Sequence, residues 1–131
     1  VNAIVDASVA VEYLLRTQLG ERLAPQLESH TLLAPELLDV EVLAVLRRAV
    51  RGRELSDARA QQALADLELW DVERITHRTL WKQAWRYRAN VSGYDAFYVA
   101  AAVMHDAPLF TADGPLSRAP RLGVVIHNVR S

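Results

Sequence analysis

At 131 residues the chain has room for one domain of ordinary size and little room for two. With 51% apolar and 24% charged residues it can bury a normal core, and 15 basic against 16 acidic residues leave a net charge of −1, which excludes a global attraction to nucleic acid or membrane. The absence of cysteine excludes disulfides, thiolate metal sites and a cysteine nucleophile, and fits a reducing, cytoplasmic compartment. No apolar run reaches membrane-spanning length and no charged-then-apolar leader opens the chain. Val1 falls within the first predicted strand, so the fold is expected to begin there, with nothing before it, and to occupy residues 1–131 as a single domain.

Asn2–Asp6 (NAIVD), a short apolar run ending in an acid, predicts the first strand. Ala7–Arg16 follows as a helix with Val9, Val11, Tyr13, Leu14 and Leu15 as its apolar positions, and a second helix covers Glu21–Ser29. Thr31–Ala34 predicts a strand stopped by Pro35, which suits the first turn of the next helix because no amide donor is needed there. That helix covers Glu36–Arg51 and ends at Gly52; Ser56 caps another over Ser56–Leu67, with Asp57 in its first turn. Leu69–Ile75 predicts a third strand, Thr76–Ala89 and Tyr94–Asp106 two helices, and Pro108–Thr111 and Val124–His127 the last two strands. Strands separated by helices imply a parallel sheet with right-handed crossovers, hence a three-layer α/β/α domain. In such a sheet the strand carboxyl ends share one edge, where the following helices begin and where ligands bind.

Four acids fall at that edge: Asp6, Glu41, Asp95 and Asp113. Asp6 ends the first strand, where an acid also serves as a helix N-cap. Glu41 lies beside Leu37, Leu38 and Val45 at helical pitch, a costly position for an unpartnered carboxylate, and Arg48 on the same side offers an internal ion pair. Glu36 and Asp39 lie on more polar parts of that wheel. Asp95 opens the most apolar helix in the chain, and Ser92 three residues earlier offers a capping box. Asp113-Gly114 after a strand is also ordinary turn chemistry. Each signal is weak singly; the topology that sends all four to one edge makes them informative together. Close carboxylates repel one another unless a cation joins them. Oxygen-only ligands suit Mg²⁺ or Mn²⁺, and the corresponding chemistry is metal-assisted hydrolysis of a phosphodiester. Ser8 and Thr111, each two residues from an acid, are placed to hold carboxylates or waters through their hydroxyls.

These residues carry a family resemblance. IVDAS with Asp6 and Ser8, APELLDVEVLAVLRR with Glu41, SGYDAFYVAAA with Asp95, and LFTADGPL with Thr111 and Asp113 span nearly the whole chain. In this order they resemble PIN-domain ribonucleases, most closely the VapC-type toxins of bacterial toxin–antitoxin pairs. The resemblance implies an α/β/α fold around a parallel sheet of four or five strands, and Mg²⁺- or Mn²⁺-dependent endonucleolytic cleavage of RNA. It also implies a homodimer, and a VapB-like antitoxin whose C-terminal segment covers the active edge. By position Asp6, Glu41, Asp95 and Asp113 match the family's acidic quartet, with Ser8 and Thr111 as supporting hydroxyls. Gly114-Pro115 stands where many relatives carry basic residues, leaving Arg118 and Arg121 as substitutes.

Thr76–Ala89 mixes Arg78, Lys82, Arg86 and Arg88 with Trp81, Trp85 and Tyr87. Aromatic stacking and arginine–phosphate contacts would suit single-stranded RNA. The plainer expectation is an amphipathic helix with Leu80, Trp81, Ala84 and Trp85 as its core stripe. Arg47, Arg48, Arg51 and Arg53 form a second basic cluster, read as a solvated helix end or an RNA groove. Arg47, Arg48, Arg86 and Arg118 are thus the candidate RNA contacts. The Glu36–Arg51 helix is apolar around much of its circumference, which suits either deep burial or a subunit or antitoxin interface. The four histidines show no zinc spacing. Two alternatives compete with a nuclease: a receiver-like phospho-acceptor domain, which needs a lysine after the last strand where this chain has only Lys82, and a non-catalytic RNA-binding scaffold, for which an intact carboxylate cluster is only a burden.

Overall fold

A computed structural model describes residues 1–118 and 122–130. Among these the elements run β1 (Asn2–Val5), α1 (Ala7–Leu14), α2 (Gln18–Glu28), β2 (Thr31–Pro35), α3 (Leu37–Arg51), α4 (Asp57–Leu69), β3 (Val72–Ile75), α5 (His77–Trp85), α6 (Gly93–Met104), β4 (Leu109–Thr111), α7 (Gly114–Arg118) and β5 (Ile126–Asn128). The strands form one parallel sheet in the order β3-β2-β1-β4-β5. The expected α/β/α architecture with four or five parallel strands is therefore what the chain adopts. β1 is central and its core residues Ala3, Ile4 and Val5 are inaccessible to solvent. The chain winds outward from β1 through β2 to β3, then returns to the other side for β4 and β5, so the order reverses between β1 and β4. Register places Val5 opposite Phe110, and the Asp6 amide donates to the Phe110 carbonyl, which brings the ends of β1 and β4 side by side at the reversal.

Local sequence explains where elements begin. Asp6, Thr17, Ser56, Thr76 and Ser92 each accept a backbone N–H at the start of a helix, satisfying donors that have no partner within the first turn. The Thr17 cap starts α2 at Gln18, three residues before the expected Glu21, and Arg16, at φ 55°, turns the chain between α1 and α2. Pro35 is not in the first turn of α3 but ends β2 opposite Ile75; the ladder continues through the Glu36 amide to the Ile75 carbonyl, so the missing proline N–H leaves nothing unpaired. β3 begins at Val72 rather than Leu69, because α4 continues to Leu69 with Ala60, Ala63 and Leu67 buried at helical spacing. Asp113-Gly114, expected as a turn, leads into the short helix α7. No helix among the described residues is long and apolar enough to cross a membrane.

The expected core stripe of α5 is half right. Leu80 and Ala84 are buried, but Trp81 and Trp85 are 54% and 64% exposed. At this pitch Leu80 and Ala84 define the inward line, and their neighbours one position on are carried round to solvent. Lys82 lies over Trp81 and Arg88 over Trp85 in cation–π contacts.

Candidate active site

The reversal point between β1 and β4 carries a hydrogen-bonded knot. Asp6, 5% exposed, caps α1 by accepting from the Val9 amide at 3.1 Å. The Ser8 hydroxyl donates to Asp6 Oδ1 at 2.6 Å, and the Thr111 hydroxyl donates to Oδ2 at 2.5 Å. Each hydroxyl oxygen accepts in turn: Ser8 from the Ala112 amide and Thr111 from the Asp113 amide, both at 2.9 Å. The capping and site readings of Asp6 are thus compatible, since one carboxylate serves α1 and welds β1 to the exit of β4. The same tie holds the backbone of Asp113 beside Asp6.

The other two acids arrive on helices. α3 starts at the carboxyl end of β2, and Glu41 lies one turn in. α6 must return the chain to the amino end of the parallel strand β4, so its first turn, with Asp95, lies at the carboxyl edge. Ser92 accepts the Asp95 amide at 3.1 Å, the half of the capping box that fixes this turn. All four acids share one electrostatic neighbourhood. Burial raises the Asp6 carboxyl above the usual range; Ser8, Thr111 and the Val9 amide oppose this, and the charge of Asp113 adds to it. Burial also raises Glu41, with Asp95 and Asp6 as like charges, and raises Asp95, with Asp113 and Asp6 as like charges.

The competing roles for these acids separate cleanly. Glu41 makes no ion pair with Arg48 among the described residues; the salt bridges there join Arg74 to Asp39 at 2.8 Å and Arg130 to Glu12 at 3.8 Å. Asp39 is thereby engaged, and Glu36 accepts from the His77 amide, so the two rival acids of this helix have structural duties. Glu41 Oε1 is buried and completes no hydrogen bond among the described residues. A fixed oxygen-rich edge, with carboxylates raised by burial and like charge, fits a hard divalent cation. No three acidic or histidine side chains among the described residues converge as a ready coordination shell. An ion at this edge would be held in part through waters, which commonly complete the shell of such a cation.

The cationic residues are less focused. Arg47, Arg48, Arg86 and Arg118 are all exposed; Arg47 and Arg48 lie in the second half of α3, Arg86 just beyond α5, and Arg118 at the end of α7 close to Asp113. Arg121 lies outside the described residues. Lys82, exposed over Trp81 on α5, does not follow the last strand as a phospho-acceptor domain would require. One site residue escaped the sequence reading: Tyr98, buried within α6, bears electrostatically on Glu41. Its place in the apolar run of α6 made it read as core, and nothing in the spacing marks the hydroxyl.

Comparison with known proteins gives a consistent picture. The PIN domain family profile matches residues 3–122. Ribonuclease VapC1 of Mycobacterium tuberculosis is 45% identical over 98 residues, 74% of each chain. Ribonuclease VapC12 of the same species is 33% identical over 116 residues, covering 88% of this chain and 90% of the relative. Among solved structures, the sarcin-ricin-loop-cleaving toxin VapC20 of M. tuberculosis superposes with a TM-score of 0.65 at 20% identity, covering 94% of this chain and 98% of that one. VapBC2 of Rickettsia felis, bound to a DNA fragment of its promoter, gives 0.64 at 13% identity over 97% of this chain and 98% of the other. At those identities the structural likeness speaks for the fold.

Proposed function

This chain belongs to the PIN-domain family, and we propose that its acidic edge is the active site of a VapC-type endoribonuclease, the toxin half of a VapBC-like toxin–antitoxin pair. The observation that carries the assignment is the placement of Asp6, Glu41, Asp95 and Asp113 in one electrostatic neighbourhood at the sheet reversal. Its relatives named ribonuclease VapC supply the reaction class.

In this reading Asp6, Asp95 and Asp113 would hold a Mg²⁺ or Mn²⁺ ion, in part through waters, with Glu41 joining directly or through water. When bound, the cation neutralises charge on the phosphoryl group and acidifies a water. The chain's own contribution is positioning. Asp6 is held by three donors, so its oxygens need no rearrangement when substrate arrives. Thr111 and Ser8 keep that carboxylate oriented, and Thr111 also fixes the Asp113 backbone. Glu41, beside Asp95 and Asp6, would orient the attacking water by accepting its hydrogen bond at a carboxylate oxygen.

The substrate is RNA and the protein partner a VapB-like antitoxin covering the edge. Exposed Val40 and Leu43 on α3 and Trp81 and Trp85 on α5 support a homodimer, which sedimentation would detect and which the double change Trp81→Ser, Trp85→Ser should weaken. Arg47, Arg48, Arg86 and Arg118 are the proposed phosphate contacts, and the setting is a reducing cytoplasm. The decisive variant is Asp6→Asn. It should abolish Mg²⁺- or Mn²⁺-dependent, chelator-sensitive RNA cleavage while leaving the circular dichroism spectrum intact. Undiminished cleavage, with contaminating nuclease excluded, would overturn the assignment.

A further inference from the structure

We propose that Tyr98 is a positioning residue for Glu41: its buried hydroxyl holds one oxygen of the Glu41 carboxylate so that the other is presented to the acidic edge. The inference rests on the reading of that edge as a divalent-cation site. Tyr98 lies one turn beyond Asp95 on α6 and is 1% exposed. Its hydroxyl and Glu41 Oε1 are both cut off from solvent, and neither completes a hydrogen bond of good geometry among the described residues. The two nonetheless face each other closely enough to interact: the phenol favours the ionised Glu41, and Glu41 opposes ionisation of the phenol.

Two buried polar groups left unsatisfied are costly, and natural structures retain few of them. A phenylalanine at position 98 would fill the same space without that cost, so packing accounts for the ring and leaves the hydroxyl unexplained. The hydroxyl has only a donor to offer an ionised carboxylate, and Glu41 Oε1 has only an acceptor to offer in return. With one oxygen of Glu41 given to this hydroxyl, the other is left free for the acidic edge. The hydroxyl then selects the orientation in which Glu41 bridges the core to the edge. Asp6 has Ser8 and Thr111 for this purpose; Glu41 has no hydroxyl neighbour of its own in the sequence, and the fold provides one from α6.

The test compares Tyr98→Phe, Glu41→Gln and their combination with the unaltered protein, using Mn²⁺ alone as probe and calorimetry as readout. Tyr98→Phe should melt at the unaltered temperature or slightly above, because it removes an unsatisfied buried hydroxyl. Its Mn²⁺ affinity should fall roughly 10-fold, the scale on which outer-shell partners act. In the Glu41→Gln background the Phe change should have no further effect, since Tyr98 acts through Glu41. Affinity of Tyr98→Phe within about twofold of the unaltered protein, or losses that simply multiply in the double variant, would overturn the positioning role alone. Absence of Mn²⁺ binding to the unaltered protein would overturn the cation site itself, and this inference with it.

Discussion

Replacing Thr111 by Val removes one hydroxyl and leaves the side-chain shape nearly unchanged. That hydroxyl donates to the ionised Asp6 at 2.5 Å and accepts from the Asp113 amide at 2.9 Å, at a residue with no solvent exposure. A hydrogen bond to a charged group contributes about 1.5–3 kcal/mol, and an amide left without its partner costs about 1–3 kcal/mol, toward the low end here because Asp113 is only half-buried. The sum is a loss of about 3 kcal/mol where Asp6 is ionised. The loss also carries a pH signature. The Thr111 donor favours the ionised form of Asp6, so its removal raises the Asp6 pKa further in the folded variant. The charge-assisted part of the deficit is full above that raised value and vanishes once pH falls below the Asp6 pKa of the unaltered fold, where both proteins carry the proton. Urea denaturation of metal-free protein, followed by tryptophan fluorescence at pH 7.5 and again in mild acid, measures both quantities. Thr111→Ser is the control: it keeps both bonds and loses only a buried methyl, about 1 kcal/mol. A Val variant as stable as the Ser variant at pH 7.5, or a deficit that does not shrink in acid, would show that the knot at the sheet reversal is not held by this hydroxyl.

Two further outcomes follow from the same geometry. Asp6, Glu41 and Asp95 all have carboxyls raised by burial, so the metal-free fold binds more protons than the unfolded chain above the ordinary carboxylate range; its melting temperature should fall as pH rises through that window, and Mn²⁺ should restore it increasingly toward pH 7.5. A metal-free melting temperature that rises with pH across that window would refute the sign. Gly20→Ala should destabilise by about 1–3 kcal/mol or more, because an added Cβ would lie 1.9 Å from the Glu12 carbonyl oxygen where α2 crosses α1, whereas Gly93→Ala, with nothing within 4 Å, should melt within a degree or two of the unaltered protein.

The layered α/β/α plan was legible because it depends on short-range periodicity and on stop signals that act locally. NAIVD, TLLA and PLFT each end in or beside an edge residue, and a parallel crossover leaves little choice about where the next helix begins. The position of the four acids at one edge follows from that topology, and so was readable before any distance was known. Boundaries were less legible where caps and tertiary burial compete with composition. α4 runs on to Leu69 because Leu67 packs inward on the helix, although Leu69–Ile75 reads as a strand.

Charge and apolar pattern, read along the chain, thus determined the class of fold and the edge at which its four acids sit. Only the tertiary structure decided which partner each polar group finds. Helical pitch offered Glu41 an ion pair with Arg48; the fold leaves that pair unmade and brings Tyr98 to it from another helix. Pitch likewise could not tell which side of α5 meets α6, and Trp81 and Trp85, counted with the core, face solvent. Periodicity states which residues share a face, while what lies opposite that face depends on contacts between segments far apart in the chain.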